Sequence, residues 1–290
     1  MSRKYIRSAT VIIGNQKSVN TPNALKITDL RIVFNLEKDI FGFPNIGRVS
    51  IYNLSPASRA KIEKEYIKLI LIAGYKGDEK ILFTGDILYI YHRRDGQGNV
   101  ITEFYMGDGH LSYSSSFFNK TLAPNLSKKE IFNNVASSFN FPLGDISGID
   151  DTASSIRGQV LSGPSKSLLT QQAENMGLYW SIQDENVIAF PKKGNRPGTV
   201  YIFNALNGMI KSPVITEIGV TLEVLLDVNL KPGTLFKVNS VGANINIGSY
   251  YFRNVQKTFG EGTYRIDKLV HKGDTHGNVW NTEIEGFLLI

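Results

Sequence analysis

Apolar and polar positions along the chain follow two periods, and the change between them divides it into three stretches. Residues 30–36 (LRIVFNL) and 48–52 (RVSIY) alternate or run apolar with β-branched residues, which predicts strands, and residues 42–47 (GFPNIG) separate them as a loop. In NLSPASRAKIEKEY, Ser55 suits a cap, Pro56 suits the first helical position, and Ala60, Ile62 and Tyr66 form a modest apolar side, so a short helix follows, lying over a barrel end. Strands resume at residues 67–73, after which Gly74 to Asp78 turn the chain. Residues 80–91 and 100–106 then read as a long hairpin around RRDGQGN at 93–99.

The period becomes helical from Ser127. SKKEIFNNVASSF carries a capping box, Ser127 with Glu130, and one apolar stripe of Ile131, Phe132, Val135 and Phe139. KSLLTQQAENMG repeats the pattern with Leu168, Leu169, Ala173 and Met176, and Gly177 suits its C-terminal cap. LYWSIQDENVIAF continues as a hairpin turning at Asp184, Glu185 and Asn186. Stripes at this spacing are read as core. KKGNRPG, from Lys192, has the composition of a linker, and strands return at residues 200–203, 218–226, 235–238, 249–258, 262–270 and 279–290. The expected organisation is a β unit at 1–115, a small α/β unit at 116–195 and a second β unit at 196–290.

Composition narrows the chemistry. A length of 290 residues allows two or three units with cores of their own. The net charge of +6, from 32 basic and 26 acidic residues, gives a pI of about 9.2, enough for weak attraction to polyanions. Basic clusters at His92-Arg93-Arg94 and Lys192-Lys193 adjoin turns and read as solvated loop ends. With no cysteine, disulfides, thiolate metal sites and cysteine nucleophiles are excluded, which fits a chain made in a reducing cytosol. Val11 to Ile13 is too short for the apolar core of a signal peptide and no run of 18 apolar residues occurs, so a soluble chain without membrane contact is expected.

The sequence lacks the phosphate-cradling GxxxxGK[ST], GxGxxG between strand and helix, GxSxG and HExxH. The adjacent carboxylates Asp150-Asp151 and Asp184-Glu185 read as solvated loop positions. HKGDTH, at residues 271–276, offers His271, Asp274 and His276, whose imidazole and carboxylate groups suit zinc or a similar ion. The competing reading is a turn between strands built from Lys272, Gly273, Asp274 and Thr275, with a positive φ at Gly273. Nothing in the sequence brings His92 or His110 to this segment or to each other. No catalytic, cofactor-binding or metal-binding residue is therefore assigned.

Residues 46–87 (IGRVSIYNLSPASRAKIEKEYIKLILIAGYKGDEKILFTGDI) carry IYNLS at Ile51 to Ser55, AGY at Ala73 to Tyr75 and FTGDI at Phe83 to Ile87. This order resembles the first domain of bacteriophage baseplate hub proteins, which connect tail tube and spike. Residues 212–240 (SPVITEIGVTLEVLLDVNLKPGTLFKVNS) and the closing HKGDTHGNVWNTEIEG resemble the second tube-like domain, although Asp227-Val228 stands where a proline often follows the paired leucines.

The resemblance implies a mainly β chain with two tail-tube-like β-barrel domains flanking the α/β unit. It implies a non-enzymatic structural hub, forming a trimeric pseudo-sixfold ring between a sixfold tube and a threefold spike. Implied partners are two further copies of the chain, the tube protein, the spike and other baseplate or tape-measure proteins, with DNA passing through unbound and no cofactor. The place would be the virion, after synthesis in the host cytoplasm. It also makes HKGDTH a structural turn. Two other classes remain open on the residues: a tail-associated peptidoglycan hydrolase, which needs a cleft carboxylate of raised pKa, and a polyanion-binding module, suggested by the pI.

Overall fold

Eight elements form the first β unit: β1 (Arg7–Gly14), β2 (Leu25–Ile27), β3 (Ile32–Asp39), β4 (Ile46–Tyr52), α1 (Pro56–Glu65), β5 (Lys68–Tyr75), β6 (Asp78–Arg94) and β7 (Val100–Gly107). The computed structural model describes residues 6–15, 24–151, 156–216, 219–240, 244–245 and 261–289, so the strand predicted at 249–258 lies outside the described residues. Every pair here is antiparallel, in the order β2, β1, β5, β6, β7, β4, β3. Alternation puts Val11, Ile13, Phe34, Leu36, Leu69, Leu71, Phe83, Phe104 and Met106 on one face, where they pack as a single core. Burying Leu71 completely contributes about 1.5–3 kcal/mol. Truncating it to alanine would cost about 2–5 kcal/mol. The helix α1 starts where its cap dictates: Ser55 accepts from the Ser58 amide at 3.1 Å, Pro56 follows, and Ile62 is driven fully into the core.

The middle elements are α2 (His110–Ser115), β8 (Phe117–Leu122), α3 (Lys128–Ala136), β9 (Leu143–Ile146), β10 (Gln159–Pro164), α4 (Ser165–Asn175), β11 (Leu178–Gln183) and β12 (Asn186–Pro191). Both halves of the capping box form, since Glu130 accepts from the Ser127 amide at 2.7 Å and Ser127 accepts from the Glu130 amide at 3.2 Å. The predicted stripes meet over one core: Phe132, Val135 and Phe139 face Leu169, Ala173, Trp180 and Val187. Trp180 keeps its indole N–H satisfied by Thr170 Oγ1 at 3.1 Å. β9 joins β12 in parallel, and β8 pairs with β10 as a separate two-stranded sheet.

The last stretch contributes β13 (Tyr201–Phe203), β14 (Val214–Ile215), β15 (Gly219–Leu225), β16 (Leu235–Asn239), β17 (Asn244–Ile245), β18 (Glu261–Asp274) and β19 (Trp280–Leu288). Its core gathers Phe203, Leu222, Val224, Phe236, Tyr264, Ile266 and Ile284.

Of the expected two tail-tube-like β-barrel domains, the mainly β character is present and barrel closure is not. The described residues of both β units form one 14-stranded sheet with open ends, and no closed barrel. The cause is the length of β18. One side pairs with β19 along most of its course, while the other pairs first with β16 and then, from Lys268 to Asp274, with β3. One strand thus serves two cores, and Leu226 and Trp280 pack into the first core although they lie far along the chain.

Candidate functional site

The HKGDTH segment is strand for four of its six residues. His271 is fully buried, and its Nδ1 lies 2.8 Å from Thr282 Oγ1 across the ladder. Burial, with a smaller push from the Lys38 ammonium, lowers its pKa to about 3, so the ring is neutral at pH 7. Asp274 instead takes a two-pronged bond from Arg31, at 3.1 and 2.6 Å, and accepts from the His276 amide at 2.9 Å. Burial opposes that charge, but Arg31 and the amide bonds outweigh it and hold the carboxyl below its usual range. His276 leans on Thr275 at 3.0 Å. The three residues therefore do not converge, and among the described residues no group of three or more His, Asp or Glu is placed to hold a metal.

Gly273 is not the turn residue expected from the sequence. It sits inside β18 opposite Trp280 and Phe34, and a Cβ there would lie 2.2 Å from the Phe34 ring. The glycine serves close packing against an aromatic face; its φ is not in the positive region. Of the other histidines, His92 bridges Thr102 at 3.0 Å and Glu63 at 2.8 Å, and His110 opens α2.

The Asp184-Glu185 pair, read from sequence as a solvated loop, is the joint between the middle elements and the first β unit. Both residues have positive φ, 51° and 59°, and their amides donate to Asp108 at 2.6 and 2.9 Å. Around them Lys38 donates to Asp184 at 2.6 Å, Gln183 donates to the Asp39 carbonyl at 2.6 Å, and Asn45 donates to the Ile182 carbonyl at 3.1 Å. Lys68 is gripped between Asp86 and Glu185. Burial opposes the Lys68 charge, yet its bonds to those carboxylates win and raise its pKa.

Burial and the neighbouring Asp184 charge push Asp108 up to about 7, against the pull of Lys38 and the two amides. A raised carboxyl is what an acid catalyst needs, but Asp108 is wholly enclosed and its oxygens are taken by backbone amides. A polymer substrate has no path to it. The arrangement fastens a tight turn into a wall. Composition alone hid this, because Asp108-Gly109 reads as a strand end.

The face of the sheet opposite the cores carries charge in pairs. Arg48 and Arg93 both meet Glu103 at 2.8 Å, Lys268 meets Glu37 at 2.7 Å, Lys272 meets Glu283 at 2.6 Å and Lys211 meets Glu223 at 2.5 Å. The exposed pairs among these add at most about 1 kcal/mol each to stability, whereas Glu103 is buried and held by two arginines. In these contacts five cations meet four carboxylates, so the paired charge nearly balances. Beside them Tyr89 and Tyr105 stack with ring centres 4.3 Å apart, and Arg48 lies over Tyr105.

A family described as Baseplate hub gp41 matches residues 28–254, most of the chain. The chain belongs to this family. No curated protein sequence matches it significantly. Solved structures agree with the hub assignment at the level of fold. The 43 kDa tail protein of prophage MuSo2 from Shewanella oneidensis superposes with a TM-score of 0.61 at 9% identity, over 98% of this chain and 97% of that one. The tail protein from Neisseria meningitidis MC58 gives 0.59 at 10% identity, over 98% and 97%. The E. coli c3393 protein gives 0.57 at 9% identity, over 96% of this chain and 76% of that one; it is described as a type VI secretion component similar to the T4 tail proteins gp27 and gp5. Membership makes the hub chain a structural component of a phage baseplate, and hence of the virion. No helix among its described residues is long and apolar enough to cross a membrane.

Proposed function

We propose that the chain is a non-enzymatic symmetry adaptor, three copies of which close into a pseudo-sixfold ring between a sixfold tail tube and a threefold spike. The family match over residues 28–254 carries this reading. A division into two β units at 1–115 and 196–290 around an α/β unit at 116–195 belongs to this reading, since three such protomers would present six β units. Their rigid relation through β18 suits a ring, since two units sharing a strand cannot drift in register. Among the described residues the sheet, which branches at β18, ends on the short strands β2, β17 and β13, and open edges of this kind gain from pairing with a neighbour. Ring neighbours, tube, spike and other baseplate or tape-measure proteins are the partners, and DNA passes through the ring without specific binding.

Purified alone at low concentration the chain is expected to be a monomer, because tube and spike each supply part of the interface energy. Light scattering of the chain mixed with its tube and spike proteins tests this: a complex with three copies is expected, and a stable dimer of the isolated chain overturns it.

A further inference from the structure

Strand β6 is paired on one side along its first half and on the other along its second. Residues 78–86 meet β5 and residues 86–94 meet β7, so among the described residues no strand covers the opposite edge of residues 79–85. About half of the backbone N–H and C=O groups of such a stretch face away from its one partner. They face a cleft of about 730 Å³. Lys80, Ile81, Leu82 and Thr84 form one wall, while Tyr201 and the loop from Val228 to Lys231 form the other. An antiparallel partner would sit about 4.8 Å from β6.

The lining carries three ammonium groups, of Lys38, Lys80 and Lys231, and the carboxylate of Asp184, with Asp78 and Asp227 adjoining the walls. Lys38 is already committed to Asp184, but Lys80 is half exposed and, among the described residues, meets Asn229 at 2.6 Å and more loosely Asp78 at 3.7 Å. A carboxylate entering the cleft could take that ammonium from the neutral amide at a gain. Ile81, 48% exposed at the same wall, offers an apolar contact for an alternate side chain.

We infer that this cleft is a docking site for an extended, acidic segment of a partner protein, which adds as a strand to residues 79–85 of β6 and sets its carboxylates against Lys80 and Lys231. Main-chain bonding supplies affinity and the lysines supply selection by charge. The site goes beyond the ring reading and does not require it, since a single chain carries the whole cleft.

The test uses the full chain and two end-blocked octapeptides, (Val-Glu)4 and (Val-Lys)4, with titration calorimetry and amide hydrogen exchange. (Val-Glu)4 is expected to bind, to slow exchange of amides within residues 79–85 about tenfold or more, and to weaken at least tenfold in the Lys80→Glu, Lys231→Glu double variant. The (Val-Lys)4 peptide is expected to be silent. A melting temperature equal to the parent's shows that the variant is folded, and Lys80→Gln with Lys231→Gln repeats the test with smaller charge change. Absence of binding at millimolar peptide, equal binding of both peptides, or binding without protection of those amides overturns the inference. Copy number in the ring reads the hub assignment separately.

Discussion

Two buried ionisable residues give the chain opposite responses to acid. His271 is lowered from 6.5 to about 3, so between those values the unfolded chain holds the extra proton and stability falls as pH falls. Asp108 is raised from 3.8 to about 7, so the folded chain holds the extra proton and its contribution is full at low pH and lost as pH rises toward 7. Each slope approaches about 1.4 kcal/mol per pH unit at most. The two offset between about pH 4 and 6.5. Asp108→Asn, which also loses an acceptor for one amide at a cost of about 1–3 kcal/mol, should leave stability falling more steeply on acidification. His271→Gln should flatten or reverse that fall. Urea unfolding midpoints from pH 7 to 4.5 measure both, and unchanged slopes in the two variants would refute the assignment. At the same scale, Gly273→Val should lower stability by about 1–3 kcal/mol through the Phe34 ring, read by thermal unfolding. The sequence assigned Gly273 a turn with positive φ, and the close approach that constrains it was hidden because the facing ring on β3 is 239 positions away in the chain.

Elements with strong local signals were legible. Ser55-Pro56 placed α1, the Ser127–Glu130 box placed α3, and the hairpin around residues 93–99 formed where Gly and Asp predicted it. β1, β2, β8, β9, β10, β14 and β17 were missed as strands, and α2 as a helix, which has six residues, no side-chain cap and no buried position, so it left no pattern to read. The joint at Asp184-Glu185 was half legible: the turn was visible, but its fixing by Asp108 depends on a residue from another unit.

The hairpin tip folds around Asp95, which accepts from the amides of Gln97 and Asn99 at 2.9 Å each, and Asn53 ties it back to Val100. Deleting residues 95–98 removes this local network and no core residue. The protomer should keep its melting temperature within a few degrees while ring formation weakens; unfolding of the protomer would return the hairpin to the core. Ser127→Ala should cost about 1 kcal/mol, since the cap bond and the bond to Asp151 both go.

For the whole molecule, the decisive feature is the strand shared by two cores. The resemblance anticipated two β units on either side of a third, and the family match supports the hub assignment, but their fusion into one sheet rests on pairing between β3 and β18, more than 200 positions apart, which no local pattern encodes. Fusion predicts cooperative loss of the β units: a Val270→Pro substitution at the β3–β18 seam should destabilise the first and second cores together, seen as one unfolding transition by exchange at both. It also makes the protomer a rigid pair, which is what a threefold ring with six similar positions requires. The most direct measurement is a cryo-electron reconstruction of the assembled baseplate, computed without imposed symmetry. Three copies of this chain per ring are expected, each contributing two β units to a sixfold-like circle. Six copies per ring would contradict that expectation.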